Sequence, residues 1–380
     1  MDTPAADTFE TGPIRPPSEA GSYLLRLTRS CPWNRCAFCR TYKRHRFSLR
    51  PPEEIEADID AMARIRDRLQ AAGADRGPRA ARAAGWVTTP EEYAVANALA
   101  HGGRTAFLQD ADSLVMKPDQ VRRVLAHFRR RFPEVERITT YARSRTVARL
   151  SVDTLRSYGE LGLTRIHIGM ETGHDPLLEL IRKGATAELH IQAGRKVVEA
   201  GLELSEYVIP GLGGREMSRG HALDSARVLN AVDPHFIRLR TLTLGPKIPL
   251  WERFHGPDAS LTRQTDAEIV EEIRAFVDAL EGIRSRLVSD HIMNLLGDLE
   301  GQLPGDKPKL LAACDAFLQL EEGERRLYQV ARRAGLVHGP RDLDDPGVRA
   351  RAEALLGEVV RTYGPGRVED AARDMMLRYV

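Results

Sequence analysis

Near its N-terminus the chain reads Leu27-Thr-Arg-Ser-Cys31-Pro-Trp-Asn-Arg-Cys36-Ala-Phe-Cys39-Arg-Thr-Tyr-Lys43. The three cysteines form a C-x4-C-x2-C pattern, and the fourth cysteine of the chain, Cys314, lies far away in sequence. Three thiolates can hold three irons of a cubane iron–sulfur cluster, whereas clusters that only transfer electrons are usually held by four cysteines. The pattern therefore predicts a cluster on Cys31, Cys36 and Cys39 whose fourth iron is open to a small molecule.

Two other interpretations of these cysteines stay open. A structural zinc site usually has four ligands, often in two pairs, so zinc would need His45 or a remote residue as its fourth ligand. A disulfide framework suits small secreted proteins, but this chain is long and its acidic, Pro-rich start lacks the pattern of a signal peptide. The spacing favours the iron–sulfur cluster over both.

The composition is that of a large α/β protein. Of the 380 residues, 42% are hydrophobic, which is enough to bury a full core. The 56 Lys and Arg residues nearly balance the 54 Asp and Glu residues, and the net charge of +2 argues against a strongly basic nucleic-acid-binding protein. No apolar run has the length of a membrane span. We therefore expect a cytoplasmic protein.

Strands alternate with helices through the first two thirds of the chain. The predicted strands lie at residues 23–27, 105–108, 137–141, 164–168, 204–209 and 236–242. A helix beginning at Pro51 places apolar residues on one face, namely Ile55, Ile59, Met62, Ile65 and Leu69. This alternation predicts a parallel sheet, which right-handed crossovers would curl into a partial (β/α)6 TIM-like barrel.

The predicted organisation has three parts. Residues 1–20 are expected to form a flexible arm and residues 21–256 the barrel, in which the segment 73–88 resembles a loop insertion. Residues 257–380 are expected to be mostly helical. Helices are predicted there near residues 265–284, 307–319, 346–362 and 367–378.

The cysteine triplet after the first strand of a barrel resembles the radical S-adenosylmethionine (SAM) superfamily, over roughly residues 20–255. The usual superfamily spacing is C-x3-C-x2-C, so this chain has one extra residue between Cys31 and Cys36. The resemblance implies that the three cysteines hold a 4Fe–4S cluster and that SAM binds its open iron. It also implies that Phe38, the aromatic residue before Cys39, packs near the adenine of SAM.

The resemblance places further SAM contacts after the second, third and fourth strands. Asp110 and Asp112 stand where many members have a Gly-Gly-Glu-like turn that binds the amino group of SAM, and carboxylates can accept hydrogen bonds from an ammonium. Ser144 follows the third strand and Glu171 the fourth. The fourth-strand stretch Ile168-Gly-Met-Glu171-Thr-Gly173 and the turn Gly211-Leu-Gly-Gly214 resemble the branch that contains oxygen-independent coproporphyrinogen dehydrogenases.

The activity implied by the resemblance is reductive cleavage of SAM. A flavodoxin- or ferredoxin-type protein would supply the electron, and the resulting 5′-deoxyadenosyl radical would abstract hydrogen from an unidentified small-molecule substrate. A porphyrin- or quinone-modifying member of the same branch is a second possibility. A non-catalytic iron–sulfur or haem carrier on the same fold is the contrasting one.

The last predicted strand suggests what the substrate is. Arg238 and Arg240 lie on one face of it by the two-residue period of a strand. If that face points into the barrel, the guanidinium groups favour an anionic substrate. If that face points outward, the two arginines say nothing about the charge of the substrate. The C-terminal helices and the segment 290–294 are hypothesised to close the barrel as a lid.

Overall fold

The computed structural model describes residues 7–73 and 77–376. The chain divides into two compact units. Within the described residues, the first unit contains residues 7–35, 39–169 and 192–204. The second contains residues 36–38, 170–191 and 205–376. Both units combine strands with helices.

Among the described residues up to residue 171, short strands and longer helices follow one another. In chain order they are β1 (Tyr23–Arg26), β2 (Thr28–Arg29), β3 (Ser48–Leu49), α1 (Pro52–Ala71), α2 (Pro78–Ala83), α3 (Pro90–Ala100), β4 (Thr105–Gln109), α4 (Pro118–Arg131), β5 (Arg137–Ala142), α5 (Ser144–Arg149), α6 (Val152–Glu160) and β6 (Leu163–Glu171). Strands β1, β4, β5 and β6 pair in that order, all parallel. Their carboxyl ends therefore lie along one edge of the sheet, while β2 and β3 form a small antiparallel pair.

After residue 171 the chain becomes progressively more helical. The elements are α7 (Asp175–Leu180), α8 (Ala187–Glu199), β7 (Glu203–Val208), α9 (Gly214–Val232), β8 (Phe236–Leu239), α10 (Trp251–His255), α11 (Asp266–Asp278), β9 (Arg286–Val288), β10 (Gly301–Gln302), α12 (Lys307–Leu318), α13 (Glu322–Arg333), α14 (Pro346–Tyr363) and α15 (Val368–Met376). Strands β7, β8 and β9 pair in parallel, and β10 pairs antiparallel with β9.

Local sequence explains the helices that position the first sheet. The five predicted apolar residues of α1 are each at most 1% exposed, and burying one such side chain contributes about 1.5–3 kcal/mol. Helix α3 begins with a capping box, in which the Glu92 backbone N–H donates to Thr89 Oγ1 at 3.2 Å and the Thr89 N–H donates to Glu92 Oε2 at 3.1 Å. A cap residue followed by proline at the first helical position, as in Thr89-Pro90, is a sequence pattern typical of a helix start.

Most of the predicted elements are present. All six predicted strands occur, and the predicted α/β class with parallel strands and a mostly helical C-terminal region is confirmed. The expectation of a loop at residues 73–88 was wrong for Pro78–Ala83, which form α2, while residues 74–76 lie outside the described residues. Strand β9 and helix α13 were not predicted.

The segment before β1 is anchored to the first unit. Phe9 is buried, and the Gly12 backbone N–H donates to Gln109 Oε1 at 2.7 Å while Gln109 Nε2 donates to the Gly12 carbonyl at 3.0 Å. Within residues 7–20, the expected flexible arm therefore has specific contacts with the end of β4. The division into arm, barrel and helical region stays a prediction.

Candidate functional site

The cysteine loop begins directly after β2. The thiols of Cys31, Cys36 and Cys39 form no disulfide. Asn34 adopts a left-handed backbone conformation with φ 45°, which asparagine tolerates better than most residues. Its backbone N–H donates to Cys31 Sγ at 3.5 Å, and its side-chain Nδ2 donates to the Tyr42 carbonyl at 2.7 Å. These bonds fold the loop back on itself.

Tyr42 connects this loop with the end of β4. Burial raises the pKa of Tyr42, and the neighbouring carboxylate of Asp110 raises it further. The thiols of Cys31 and Cys39 act in the same direction, so both cysteines lie near the phenol. The structure thus brings two of the three predicted cluster ligands and one predicted SAM contact around a single buried side chain.

Asp110 is fully buried and has an unusual backbone. Its φ is +69°, and its Oδ2 accepts a hydrogen bond from Arg26 Nε at 2.5 Å. Burial raises the pKa of Asp110, and the Arg26 guanidinium, the Tyr42 phenol and the Ser30 backbone N–H offset part of this rise. The other oxygen, Oδ1, has no hydrogen-bond partner among the described residues. A buried carboxylate oxygen without a partner can accept a hydrogen bond from a donor group of a bound ligand.

Asp112 repeats this arrangement two residues later. Its Oδ2 accepts from Thr146 Oγ1 at 2.5 Å, and its Oδ1 is a second buried acceptor without a partner in the described part of the chain. Burial raises the pKa of Asp112 to about 7, and Thr146 and the Arg143 backbone N–H offset only part of the rise. Ser144, the first residue of α5, is buried and directly follows Arg143 in the chain.

A cation–π contact connects the cysteine loop with the end of β5. The Arg143 guanidinium lies 5.1 Å from the centre of the Trp33 ring, and the Arg35 guanidinium lies 5.1 Å from the same ring. Such cation–π contacts contribute about 0.5–1 kcal/mol at exposed sites. The loops that follow β1, β4 and β5 therefore meet at the carboxyl edge of the first sheet.

In the second unit, Phe38 and Glu171 are linked through Lys183. Lys183 Nζ donates to Glu171 Oε1 at 2.7 Å and lies 5.8 Å from the centre of the Phe38 ring. Glu171 has φ +67°, and its carbonyl accepts from the Ile209 backbone N–H at 3.0 Å. The two predicted SAM contacts of this unit are thus held near one cation, although their contact with SAM stays a prediction.

Glu206 on β7 is a buried acid that sequence reasoning did not identify. It is 2% exposed, and its Oε2 has no hydrogen-bond partner among the described residues. Burial raises the pKa of Glu206 well above the usual value, the charge of Lys183 lowers it, and that of Glu171 raises it. Its burial therefore favours the neutral form of this carboxyl over the charged one. The available signal was an acidic residue within the otherwise weakly polar strand Leu204–Val208.

The two arginines on β8 that were predicted to favour an anionic substrate already pair with a carboxylate of the chain, and an anion site there stays a prediction. Arg238 Nη1 forms an ion pair with Asp290 Oδ2, and Arg240 Nη1 lies 2.9 Å from Asp290 Oδ1. Burial raises the pKa of Asp290, but the two guanidinium groups lower it by more, so the pKa lies below its usual value. Asp290 therefore occupies the position that a substrate anion would take between the two arginines.

Two negative findings complete the description of the site. Over residues 7–73 and 77–376, no group of three or more His, Cys, Asp and Glu side chains is arranged to hold a metal ion. No helix in these ranges combines the length and apolar character needed to cross a membrane.

Comparison with known proteins identifies the family. The model of the radical SAM superfamily matches residues 25–225, just over half of the chain. The chain therefore belongs to the radical SAM superfamily. Its members are in general enzymes that use a 4Fe–4S cluster and SAM, and these are the cofactors of this chain. The free thiols near Tyr42 and the unpartnered Oδ1 atoms of Asp110 and Asp112 fit both groups.

Individual relatives are distant. Over 93 residues the chain is 33% identical to the tRNA uridine(34) acetyltransferase of Methanocaldococcus jannaschii, an alignment that covers 22% of this chain and 17% of that protein. The radical SAM methyltransferase TsrM from Kitasatospora setae, solved with tryptophan and a SAM analogue, is 14% identical with a TM-score of 0.46, over 88% of this chain and 58% of that one.

The coproporphyrinogen III oxidase HemN of Escherichia coli is a further structural neighbour. It is 13% identical with a TM-score of 0.39, over 69% of this chain and 68% of that one. At these values the similarity does not distinguish one branch of the superfamily from another. Membership of the coproporphyrinogen dehydrogenase branch stays a prediction.

Proposed function

We propose that the chain is an enzyme that reductively cleaves SAM to methionine and a 5′-deoxyadenosyl radical, which takes a hydrogen atom from a small-molecule substrate. Cys31, Cys36 and Cys39 would hold the cluster, which when bound supplies one electron and an open iron for SAM. The observation that carries the proposal is the pair of buried carboxylates, Asp110 and Asp112. Each keeps one unpartnered oxygen in the unit that contains Cys31 and Cys39.

The protein residues would bind and orient SAM. Asp110 and Asp112 would each offer one carboxylate oxygen to the ammonium of SAM, and the buried Ser144 would add its hydroxyl. Phe38 offers a ring face to the adenine, and Glu171, fixed by Lys183, offers a carboxylate. Charge-assisted hydrogen bonds of this kind are worth about 1.5–3 kcal/mol each.

Quantifying the products of SAM cleavage tests the proposal. Anaerobically reconstituted protein, reduced with dithionite, should release 5′-deoxyadenosine and methionine in equal amounts, slowly even without substrate. The Cys36→Ala variant should release neither, while Cys314→Ala, which changes a buried cysteine of α12, should match the wild type. Formation of S-adenosylhomocysteine alone would assign the chain to polar methyl transfer instead. Absence of any SAM cleavage would favour the non-catalytic carrier.

We further propose that the reductant docks on the basic surface around the cysteine loop. Between Glu19 and Glu53 the chain has eight Lys and Arg residues and no Asp or Glu. Four exposed arginines of the loop, none with an ion-pair partner among the described residues, are Arg35, Arg40, Arg44 and Arg46. Flavodoxin- and ferredoxin-type donors are usually acidic, and complementary charge raises the association rate.

Reversing the charge of two loop arginines distinguishes an effect on reductant docking from an effect on SAM cleavage itself. The double variant Arg44→Glu/Arg46→Glu should slow SAM cleavage driven by reduced flavodoxin, and the slowing should shrink as salt is added. Cleavage driven by dithionite should be unchanged, because that reductant needs no docking surface. Arg341→Glu, which reverses an exposed charge in the second unit, is the matched control. Equal flavodoxin-driven rates in all three proteins would contradict the docking surface.

A further inference from the structure

Strand β1 is the edge strand of the first sheet. It pairs with β4 on one side, and the described residues contain no strand that pairs with its other side. An edge strand presents backbone N–H and C=O groups that can pair with another chain. The open side of β1 is therefore able to accept a further strand wherever its backbone groups are free.

The hydrogen bonds of β4 show which backbone groups of β1 face β4. The Arg104 carbonyl, directly before β4, accepts from the Glu136 backbone N–H at 2.8 Å, so the even-numbered residues of β4 bond toward β5. Its odd-numbered residues therefore bond toward β1. Because Tyr23 stands opposite Ala106 in the parallel register, these bonds go to Tyr23 and Leu25 of β1.

The backbone groups of the alternate residues of β1 face the open side, and only those of Leu24 are free there. The Arg26 carbonyl accepts from Arg50 Nη1 at 2.8 Å, and the Ser22 N–H donates to the Glu19 carbonyl at 3.2 Å. Between them, the N–H and C=O of Leu24 have no hydrogen-bond partner among the described residues. Leu24 is 9% exposed, and buried backbone groups are nearly always paired. A ligand that offers one acceptor and one donor side by side, as an extended peptide does, would pair both groups.

A groove runs along this side of β1. Its walls come from β1, from the segment 11–20 and from helix α3, all within the first unit. At one end Asn97 Nδ2 donates to the Ala20 carbonyl at 2.8 Å, and at the other end Gly12 is bonded to Gln109, the last residue of β4. The volume of the groove is about 480 Å³, within the range of ligand sites in proteins.

The groove is open to solvent at both ends of β1. Ala20, before the strand, is exposed. Thr11 is also exposed, and its carbonyl accepts from Nη1 of Arg26, the last residue of the strand, at 3.3 Å. A polypeptide can therefore enter at one end and leave at the other, so the groove fits a segment within a longer chain.

The lining of the groove carries one charge of each sign. Apart from His101, its ionisable acidic and basic residues are Arg15, which is exposed, and Glu91, which is half-buried. Neither forms an ion pair in the part of the chain that the structure describes. The ring of Tyr93, 41% exposed, lies between them in the wall of α3 and the segment 11–20. Such a lining matches a peptide with both an acidic and a basic side chain.

We propose that this groove binds a short extended segment of a partner polypeptide, which pairs with Leu24 as an added strand at the edge of β1. The backbone of the segment would exchange hydrogen bonds with the N–H and C=O of Leu24. An acidic side chain of the segment would pair with Arg15 and a basic one with Glu91. The inference is independent of the proposed SAM cleavage, because it uses no residue assigned to the cluster or to SAM.

Calorimetric titration of the full chain with capped peptides tests the strand pairing. The parent peptide is acetyl-Lys-Val-Phe-Val-Glu-amide, whose valines favour an extended conformation. Two control peptides are N-methylated, one at the phenylalanine and the other at both valines, which are the two opposite edges of an extended chain. One control should bind about tenfold more weakly, because it loses a donor and leaves the Leu24 carbonyl unpaired, and the other should bind like the parent.

Three variants test the groove itself. Ala94→Trp, which fills the groove from α3, should weaken the parent peptide at least about tenfold. Arg15→Glu should weaken it about two- to fivefold, the effect expected of an exposed ion pair. Arg149→Glu, which reverses another exposed charge of the first unit outside the groove, should leave the affinity unchanged. All three should show the thermal unfolding curve of the wild type.

Hydrogen exchange measured by NMR gives an independent readout of the pairing. In the free protein the amide of Leu24 should exchange faster than that of Leu25, which bonds to β4, and saturating parent peptide should slow the exchange of Leu24. Unchanged exchange of Leu24 with the peptide bound, equal effects of the two methylation patterns, or no binding of the parent peptide would each overturn the added strand. An uncapped Val-Phe-Val tripeptide that binds as tightly as the parent would overturn the partner segment, because it would assign the groove to a free small peptide.

Discussion

Replacing Asp112 with Asn should make the protein more stable at alkaline pH. The carboxyl is fully buried, and burial raises its pKa to about 7 from an ordinary value of 3.8. Between these values the folded state holds a proton that the unfolded state has lost, so the free energy of unfolding falls as pH rises from about 4 to 7. Three pKa units at about 1.36 kcal/mol each give a loss on the order of 4 kcal/mol.

The Asp112→Asn variant should lack this pH-dependent loss of stability, because an asparagine side chain carries no charge. It keeps an oxygen that can accept from Thr146 Oγ1, so the local geometry can persist. Urea denaturation of wild type and variant should give similar stabilities near pH 4.5 and a growing advantage for Asp112→Asn up to pH 8. Asp153→Asn, which changes a highly exposed acid on α6, should show no such pH dependence. Parallel stability curves for wild type and Asp112→Asn from pH 4.5 to 8 would refute the buried, proton-holding carboxyl.

Three further substitutions test other parts of the structure. Asp110→Asn on protein with intact cluster should weaken SAM by roughly tenfold or more, because it loses one charge-assisted bond; unchanged affinity in a SAM titration would reject that contact. Lys183→Met leaves Glu171, whose side chain is only 12% exposed, without its cation and should cost about 3–5 kcal/mol of unfolding free energy, with partial recovery in Lys183→Met/Glu171→Gln. Equal urea midpoints for the single variant and the wild type would contradict this. Ile59→Ala in the buried face of α1 should cost about 2–5 kcal/mol in the same assay, whereas the exposed Gln70→Ala should change stability by at most about 0.5 kcal/mol.

Features with a local signal could be predicted from the sequence. The apolar face of α1 and the cap at Thr89 depend on residues within a few positions of one another, and the structure has both. Strand β9 has only three residues, Arg286–Val288, and is too short to show a period. Helix α13 combines a polar composition with buried arginines, so its pattern does not predict burial.

The candidate site likewise contains some features that the sequence predicts and others that it does not. The cysteine loop is a contiguous motif and could be recognised directly. Asp290, in contrast, is 52 residues from Arg238 in sequence, and no local sequence pattern around either residue predicts their ion pair. The same is true of Arg26 and Asp110, which are 84 residues apart. Side chains brought together by strand order alone were therefore the ones that sequence reasoning missed.

The indole of Trp33 gives this protein a built-in optical reporter. The chain has only three tryptophans, and Trp33 lies inside the cysteine loop, between Cys31 and Cys36. A strongly absorbing cluster placed beside this ring would quench its fluorescence, while the indoles of Trp86 and Trp251 lie outside the loop. Assembly and oxidative loss of the cluster can therefore be followed in real time by emission, on the unmodified chain and without any added dye.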